Sequence, residues 1–239
     1  MMNKVEKTVR WTVIIACELF TAGTIIMLFV NQQYSRLTLG FGTLLMIFIP
    51  EVIERLFKCK VAAPIYIFAV LYSIGPMLGH CHNLYYLIPW WDKLLHISGG
   101  VMFAILGVFL FKFLNKGNKS KVLLTAAFAL CFSMAISVLW EFVEFSSDQF
   151  LHTDMQNDTV ISSIHSYELD DGMGVAGSIE DIEDVTVNGI ELPVDGYIDI
   201  GLIDTMLDML LESAGALVVV VIYMIDREKH QMFVPKNPL

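Results

Sequence analysis

VLLTAAFALCFSMAISVLWEFVEF, residues 122–145, decides the fold. From Val122 to Trp140 no residue carries a charge, and then Glu141 and Glu144 follow three apart. The run has the roughly 17–25 apolar residues that a helix needs to cross a bilayer. The spacing of three puts both acids on one face of that helix. An ionisable side chain inside a bilayer costs several kcal/mol unless it meets a partner, water or a metal. The stretch therefore reads as a spanning helix that carries part of a site.

Five more apolar runs of spanning length surround it, at Trp11–Val30, Leu37–Phe57, Val61–Leu78, Leu94–Leu114 and Leu202–Ile225. The chain is 56% hydrophobic and 17% charged over 239 residues, with a mean hydropathy of +0.63. These values exclude a soluble domain. The expected fold class is an all-α membrane protein with six transmembrane helices. Residues 1–145 hold transmembrane helices 1–5, residues 146–200 an acidic extracytoplasmic loop, and residues 201–239 helix 6 and a cytoplasmic tail. The first run has no convincing cleavage site and reads as a retained span rather than a signal peptide.

Lys and Arg set the orientation. Lys4, Lys7 and Arg10 precede helix 1, and Arg55, Lys58 and Lys60 lie between helices 2 and 3. Lys112, Lys116, Lys119 and Lys121 lie between helices 4 and 5, and Arg227, Lys229 and Lys236 follow helix 6. Only Arg36 and Lys93 fall on the other side. Six spans with both termini cytoplasmic fit this pattern without adjustment. The net charge of −10 conceals a division, because more than half of the 25 acids lie between Ser146 and Ile200, where there is no Lys or Arg. The inner face suits anionic membrane lipid. The outer acidic loop would repel phosphate, which excludes nucleic acid as a partner.

The acids of helix 5 have counterparts at the same depth. Asp92 starts helix 4 and His96 lies one turn deeper, about 6 Å along the axis. Glu141 and Glu144 come roughly 30–35 Å after Lys121, at the outer end of helix 5, with Asp148 beyond them. Asp204 and Asp208 lie one turn apart at the start of helix 6, and Glu212 would form the floor. Three helix directions thus bring one imidazole and several carboxylates to one level. Such sets occur in helix bundles that bind hard cations. This one suits a divalent metal, Mg, Mn, Fe or Zn, better than Cu(I). Without a metal the carboxylates could not all stay ionised, and some would hold protons. The candidate ligands are Asp92, His96, Glu141, Asp204 and Asp208. Glu141, Glu144 and His96 are the candidate acid–base groups, and Asp148 sits at the rim.

Other features read more simply. Glu51 and Glu54 would reach the inner interface near Arg55, Pro50 would kink helix 2, and Glu18 lies in the inner half of helix 1. A second, inner polar site is the sharper reading of Glu18 and Glu51. His80-Cys81-His82 falls in the loop before helix 4, where three consecutive side chains rarely reach one soft metal. Cys17 and Cys131 lie in spans, Cys59 is cytoplasmic and only Cys81 is on the outer side, so no external disulfide forms within the chain. Asn188-Gly189 between β-prone residues predicts a hairpin. Asp170-Asp171-Gly172 and the acids from Glu180 to Asp184 do not match an EF-hand loop and read as solvated. Gly99, Gly100 and Gly107, and Ser213 to Ala216, read as close helix contacts. There is no nucleophile elbow, zinc-protease helix or P-loop.

Trp91-Asp92-Lys93-Leu94-Leu95-His96 with Gly100, Trp140-Glu141-Phe142-Val143-Glu144-Phe145 with Asp148, Asp154-Met155-Gln156, and Asp204-Thr205-Met206-Leu207-Asp208 with Gly215 resemble the YjdF-like family of bacterial integral-membrane proteins. The resemblance runs from helix 2 to helix 6. It implies the fold and a multi-pass place in the bacterial cytoplasmic membrane rather than an activity, and it adds Gln156 to the rim. The Asp-Lys-x-x-His start and late acidic helix are also similar, more distantly, to VanZ-like envelope proteins. Residues Asn157 to Ile200 depart from that compact pattern as an insertion.

Three readings follow. One is a metal-dependent cell-envelope enzyme acting on a lipid-linked substrate, with few outer cations, so that the metal supplies positive charge to any phosphate. The second is a cation- or proton-coupled permease using the same acids. The third is a non-catalytic membrane sensor or chaperone that uses the acidic loop.

Overall fold

The computed structural model of the protein describes residues 4–57, 60–115, 121–170 and 172–226. Lys58, Lys116, Lys119, Arg227, Lys229 and Lys236 of the orientation argument, with Cys59 and Asp171, lie outside the described residues. Six helical stretches are long and apolar enough to cross a membrane. The first is α1 (Lys4–Val30). The second combines α2 (Leu37–Met46) and α3 (Ile49–Leu56), and the third combines α4 (Ala63–Ser73) and α5 (Gly75–Cys81). A single turn, α6 (Leu84–Leu87), leads into α7 (Trp91–Leu114). The last two are α8 (Val122–Leu151) and α9 (Leu202–Ile225).

Two spans are broken, each at a proline. Pro50 occupies the first turn of α3, where its missing N–H costs nothing. The break therefore falls before it, at Ile47 and Phe48. Gly75-Pro76 breaks the third span in the same way. Two ends also lie beyond the expected bounds. α1 begins at Lys4 rather than Trp11, because Glu6 and Arg10 pair one turn apart at 3.1 Å. α8 runs to Leu151 rather than Phe145, and in the added turns the Ser147 hydroxyl bonds back to the Val143 carbonyl at 2.8 Å.

The described residues fall into two compact units, one within Met1–Ser137 and Leu210–Leu239 and one within Val138–Met209. In the first, Ala104, Val108, Ala129, Ala216, Val219 and Tyr223 form the main apolar core. The small residues set its spacing. A Cβ on Gly100 would come within 1.9 Å of the Glu212 carbonyl oxygen, and one on Gly215 within 2.2 Å of that of Ile97. A second core gathers Ile14, Cys17, Ile47, Tyr66 and Val70.

His80 and Cys81 belong to α5 rather than to a loop. Their run does not converge. His80 meets Tyr85 edge-on at 4.8 Å, Cys81 packs with Leu28 and Met77, and His82 shares a 2.9 Å hydrogen bond with Thr24.

The second unit holds three two-stranded antiparallel ribbons. β1 (Val160–Ile161) pairs with β6 (Tyr197–Ile198), and β2 (Ile164–Ser166) with β3 (Gly177–Ile179). β4 (Thr186–Val187) pairs with β5 (Ile190–Glu191) through Asn188 and Gly189. Both turn residues have positive φ, 53° and 81°, as the expected Asn-Gly hairpin requires.

Candidate functional site

Each site helix concentrates its polar residues on its buried face. On α8, Thr125, Ser133, Ser137, Glu141 and Glu144 are buried, at spacings of three, four or eight. On α9, Asp204, Asp208 and Glu212 are buried at successive turns, followed by Ala216, Val219 and Tyr223. On α7, His96 is 7% exposed and precedes buried Gly99 and Gly100. The lipid-facing sides carry Leu139, Phe142 and Val143 on α8 and Leu210, Leu217 and Val218 on α9. These helices turn acids inward and keep hydrocarbon outward, as polar groups at membrane depth require.

In the first unit the cluster is built around His96. Its Nε2 lies 3.6 Å from Asp92 Oδ1, one turn earlier on α7. Its Nδ1 lies 3.9 Å from Glu212 Oε2 on α9. Both ring nitrogens thus face carboxylates, beyond direct hydrogen-bond length. Lys93 Nζ donates to Asp92 Oδ2 at 3.1 Å, which leaves Oδ1 turned to the imidazole. Gly99 admits the floor, because a Cβ there would lie 2.9 Å from the Tyr72 hydroxyl and 3.6 Å from Glu212 Oε1.

Asp208 lies on the same unbroken helix as Glu212, one turn before it. Within this unit Asp92, His96 and Glu212 bring two carboxylates to the two sides of one imidazole, donors that could hold a metal ion. Carboxylate and imidazole donors suit a hard or borderline divalent cation.

In the second unit, several expected residues have partners of their own. Trp140 Nε1 donates to Glu144 Oε1 at 2.8 Å. Asp148 accepts from the Thr153 hydroxyl and from the backbone N–H groups of Met155 and Gln156, at 2.7–2.9 Å. It shapes the exit from α8 and brings the two rim residues together. The Gln156 side chain donates to the Thr205 hydroxyl. Asp204 Oδ2 accepts from the Asn157 backbone at 3.0 Å. Glu141 is 4% exposed on the inward face of α8.

Three features are absent from the sequence reading or differ from it. Tyr72 reaches Gly99 from α4, which spacing within α7 does not reveal. Asp199 accepts from the N–H groups of Thr159, Gly201 and Ile203, at 2.8, 3.2 and 2.7 Å, and holds the start of α9. Burial pushes its carboxyl up, but these N–H groups outweigh burial and leave it below the ordinary aspartate range. The third is an inner network. Buried Glu54 accepts from Arg10 at 2.9 Å, from Lys60 at 2.6 Å and from the Val61 N–H at 2.8 Å. Arg10 also donates to the Val61 carbonyl and covers the Tyr66 ring at 4.4 Å. Glu51 does pair with exposed Arg55, at 2.9 Å.

A family model described as a predicted membrane protein (DUF2238) matches residues 12–229. No curated protein and no solved structure matches the chain.

Proposed function

The chain belongs to the DUF2238 family of predicted membrane proteins, and from that membership and the cluster around His96 we propose a metal-dependent enzyme of the bacterial cell envelope that acts on a lipid-linked substrate. Both termini lie in the cytoplasm in this reading, and the cluster faces outward. The observation that carries it is His96 set between two carboxylates, with Asp92 Oδ1 3.6 Å from one ring nitrogen and Glu212 Oε2 3.9 Å from the other; Asp208 is the further ligand of this reading. Three carboxylates, with Glu212, outweigh the single Lys93, so the cluster attracts a cation. A bound divalent ion polarises a phosphate or carbonyl oxygen and lowers the pKa of water. Glu212 orients His96 from its second nitrogen, the role that outer carboxylates play beside metal-ligating imidazoles. Glu141 and Asp204 complete the ligand set, and Glu144 serves as the base in this reading.

The test is the metal content of the full chain purified in mild detergent, beside a folded His96→Ala/Asp208→Asn variant. A stoichiometric divalent cation in the parent and its loss in the variant support the proposal. Equal metal in both, or none in either, overturns it.

One observation favours a proton- or cation-coupled permease instead. Glu18 buries Oε1 in α1 with no hydrogen-bond partner among the described residues. A buried carboxyl of this kind is a natural proton carrier. Proteoliposomes that carry flux lost in Glu18→Gln would favour this reading. Flux equal to that of empty vesicles would remove it.

A further inference from the structure

α7 presents two adjoining faces. Asp92, His96 and Gly99 occupy one, at spacings of four and three. Trp91, Leu94, Leu95 and Ser98 occupy the next, about 100° round the helix, and line one wall of a groove. The opposite wall comes from α4 and α5, where Phe68, Leu71 and Leu78 flank the Gly75-Pro76 break. Trp91 Nε1 donates to the Gly75 carbonyl at 3.2 Å and pins α7 to that break.

The groove encloses about 280 Å³ and its walls are almost wholly apolar. That is just under the roughly 300–1,000 Å³ of pockets that take a drug-sized ligand, so it suits a slim chain rather than a ring system. Leu71 is 49% exposed and Leu94 39%. Both lie in membrane-spanning stretches, so the open side meets hydrocarbon rather than water. Tyr72 joins the groove to the cluster. Its ring lines the groove, while its hydroxyl lies against Gly99 on the side where Glu212 approaches. Only a residue without a side chain leaves that passage open.

We propose that this groove binds the acyl tail of a membrane phospholipid and places its headgroup at Asp92, Lys93 and His96. The proposal rests on the reading of the His96 cluster as the site, and it names the substrate class by its tail. The hydrocarbon gains burial along the groove, and Lys93 supplies the cation nearest to a headgroup phosphate. Tyr72, amphipathic in itself, marks the boundary between tail and head.

The test uses the full chain in phosphatidylethanolamine vesicles containing a trace of phosphatidylglycerol with a photoactivatable acyl tail. Adducts are mapped by peptide mass spectrometry after photolysis. The expected result is labelling of the Phe68–Leu71 and Leu94–Ser98 segments several-fold above the lipid-facing residues of α9, such as Leu217. Leu94→Trp and Leu71→Trp, both at exposed positions, fill the groove and abolish the excess, whereas Leu217→Trp leaves it unchanged. A parent chain that purifies without metal but keeps the labelling overturns the enzyme reading alone. Labelling spread evenly over every lipid-facing surface, or unchanged by both groove-filling variants, overturns the proposal.

Discussion

At Gly100 one missing side chain sets the distance between two helices. A methyl there would meet the backbone of Glu212, which cannot turn aside as a flexible side chain could. The same contact holds Glu212 beside His96, so packing and site geometry are one property here. Asp199 acts in the second unit, at the start of α9. Its folded pKa is depressed, so its stabilising effect is present above the unfolded value and is lost as pH falls through the folded one. Asp199→Ala is expected to cost about 1–2 kcal/mol at pH 7. The penalty should shrink as pH falls below about 4. Thermal unfolding in detergent at pH 7 and pH 3.5 checks both the size and the direction. An equal loss at the two values would deny the carboxylate its capping role. Asp154 runs the opposite way: burial and the neighbouring Asp158, Asp148 and Asp204 raise it, so its charge opposes the fold at neutral pH.

At the scale of elements, the clearest bond between spans is Arg10 of α1 with Glu54 of α3, both nearly inaccessible. Removing one partner of a buried pair strands the other charge and typically costs about 3–5 kcal/mol. Arg10→Ala is therefore expected to destabilise the protein far more than Arg55→Ala, whose exposed pair with Glu51 is worth at most about 1 kcal/mol. Replacing both Arg10 and Glu54 by Met should recover much of the loss. Denaturant titration of the four proteins measures this, and equal losses for Arg10→Ala and Arg55→Ala would show the pair to be a bystander. Nothing in the local sequence joins Arg10 to Glu54, because helix periodicity describes one face of one span. Depth along each helix follows from position in the chain, and on that basis the sequence reading sets His96 and Asp208 at one level with Glu212 a turn below as the floor. The hydrogen bonds that engage Asp148 were not legible, since they depend on the fold of the chain after Leu151.

For the whole molecule, the six spans were legible because hydrocarbon thickness allows so few lengths. The hairpin at Asn188 was legible because its turn demands positive φ. The β1–β6 pairing was not: strands of two residues have no period to read, and their partners lie far apart in the chain. The break at Gly75-Pro76 had a local signal, masked by the apolar run that continues across it. Orientation is the property to test at this scale. In a background with the native cysteines replaced, Ser178→Cys on β3 is expected to react with a membrane-impermeant maleimide in intact cells. Lys7→Cys should react only after permeabilisation. The reverse pattern would invert the topology, and labelling of both in intact cells would refute the five spans between them.

The bond from Arg10 to Glu54 also has a consequence in time. Its partners are separated by 44 residues, which a ribosome adds in about 2–9 s at roughly 5–20 residues per second. Val61, whose N–H and carbonyl complete the network, is made later still. Until then the first span carries a guanidinium with no lasting counter-ion except Glu6. The network therefore closes only after the second span has been made, so the packing of α1 against α3 is completed later in synthesis rather than as α1 emerges.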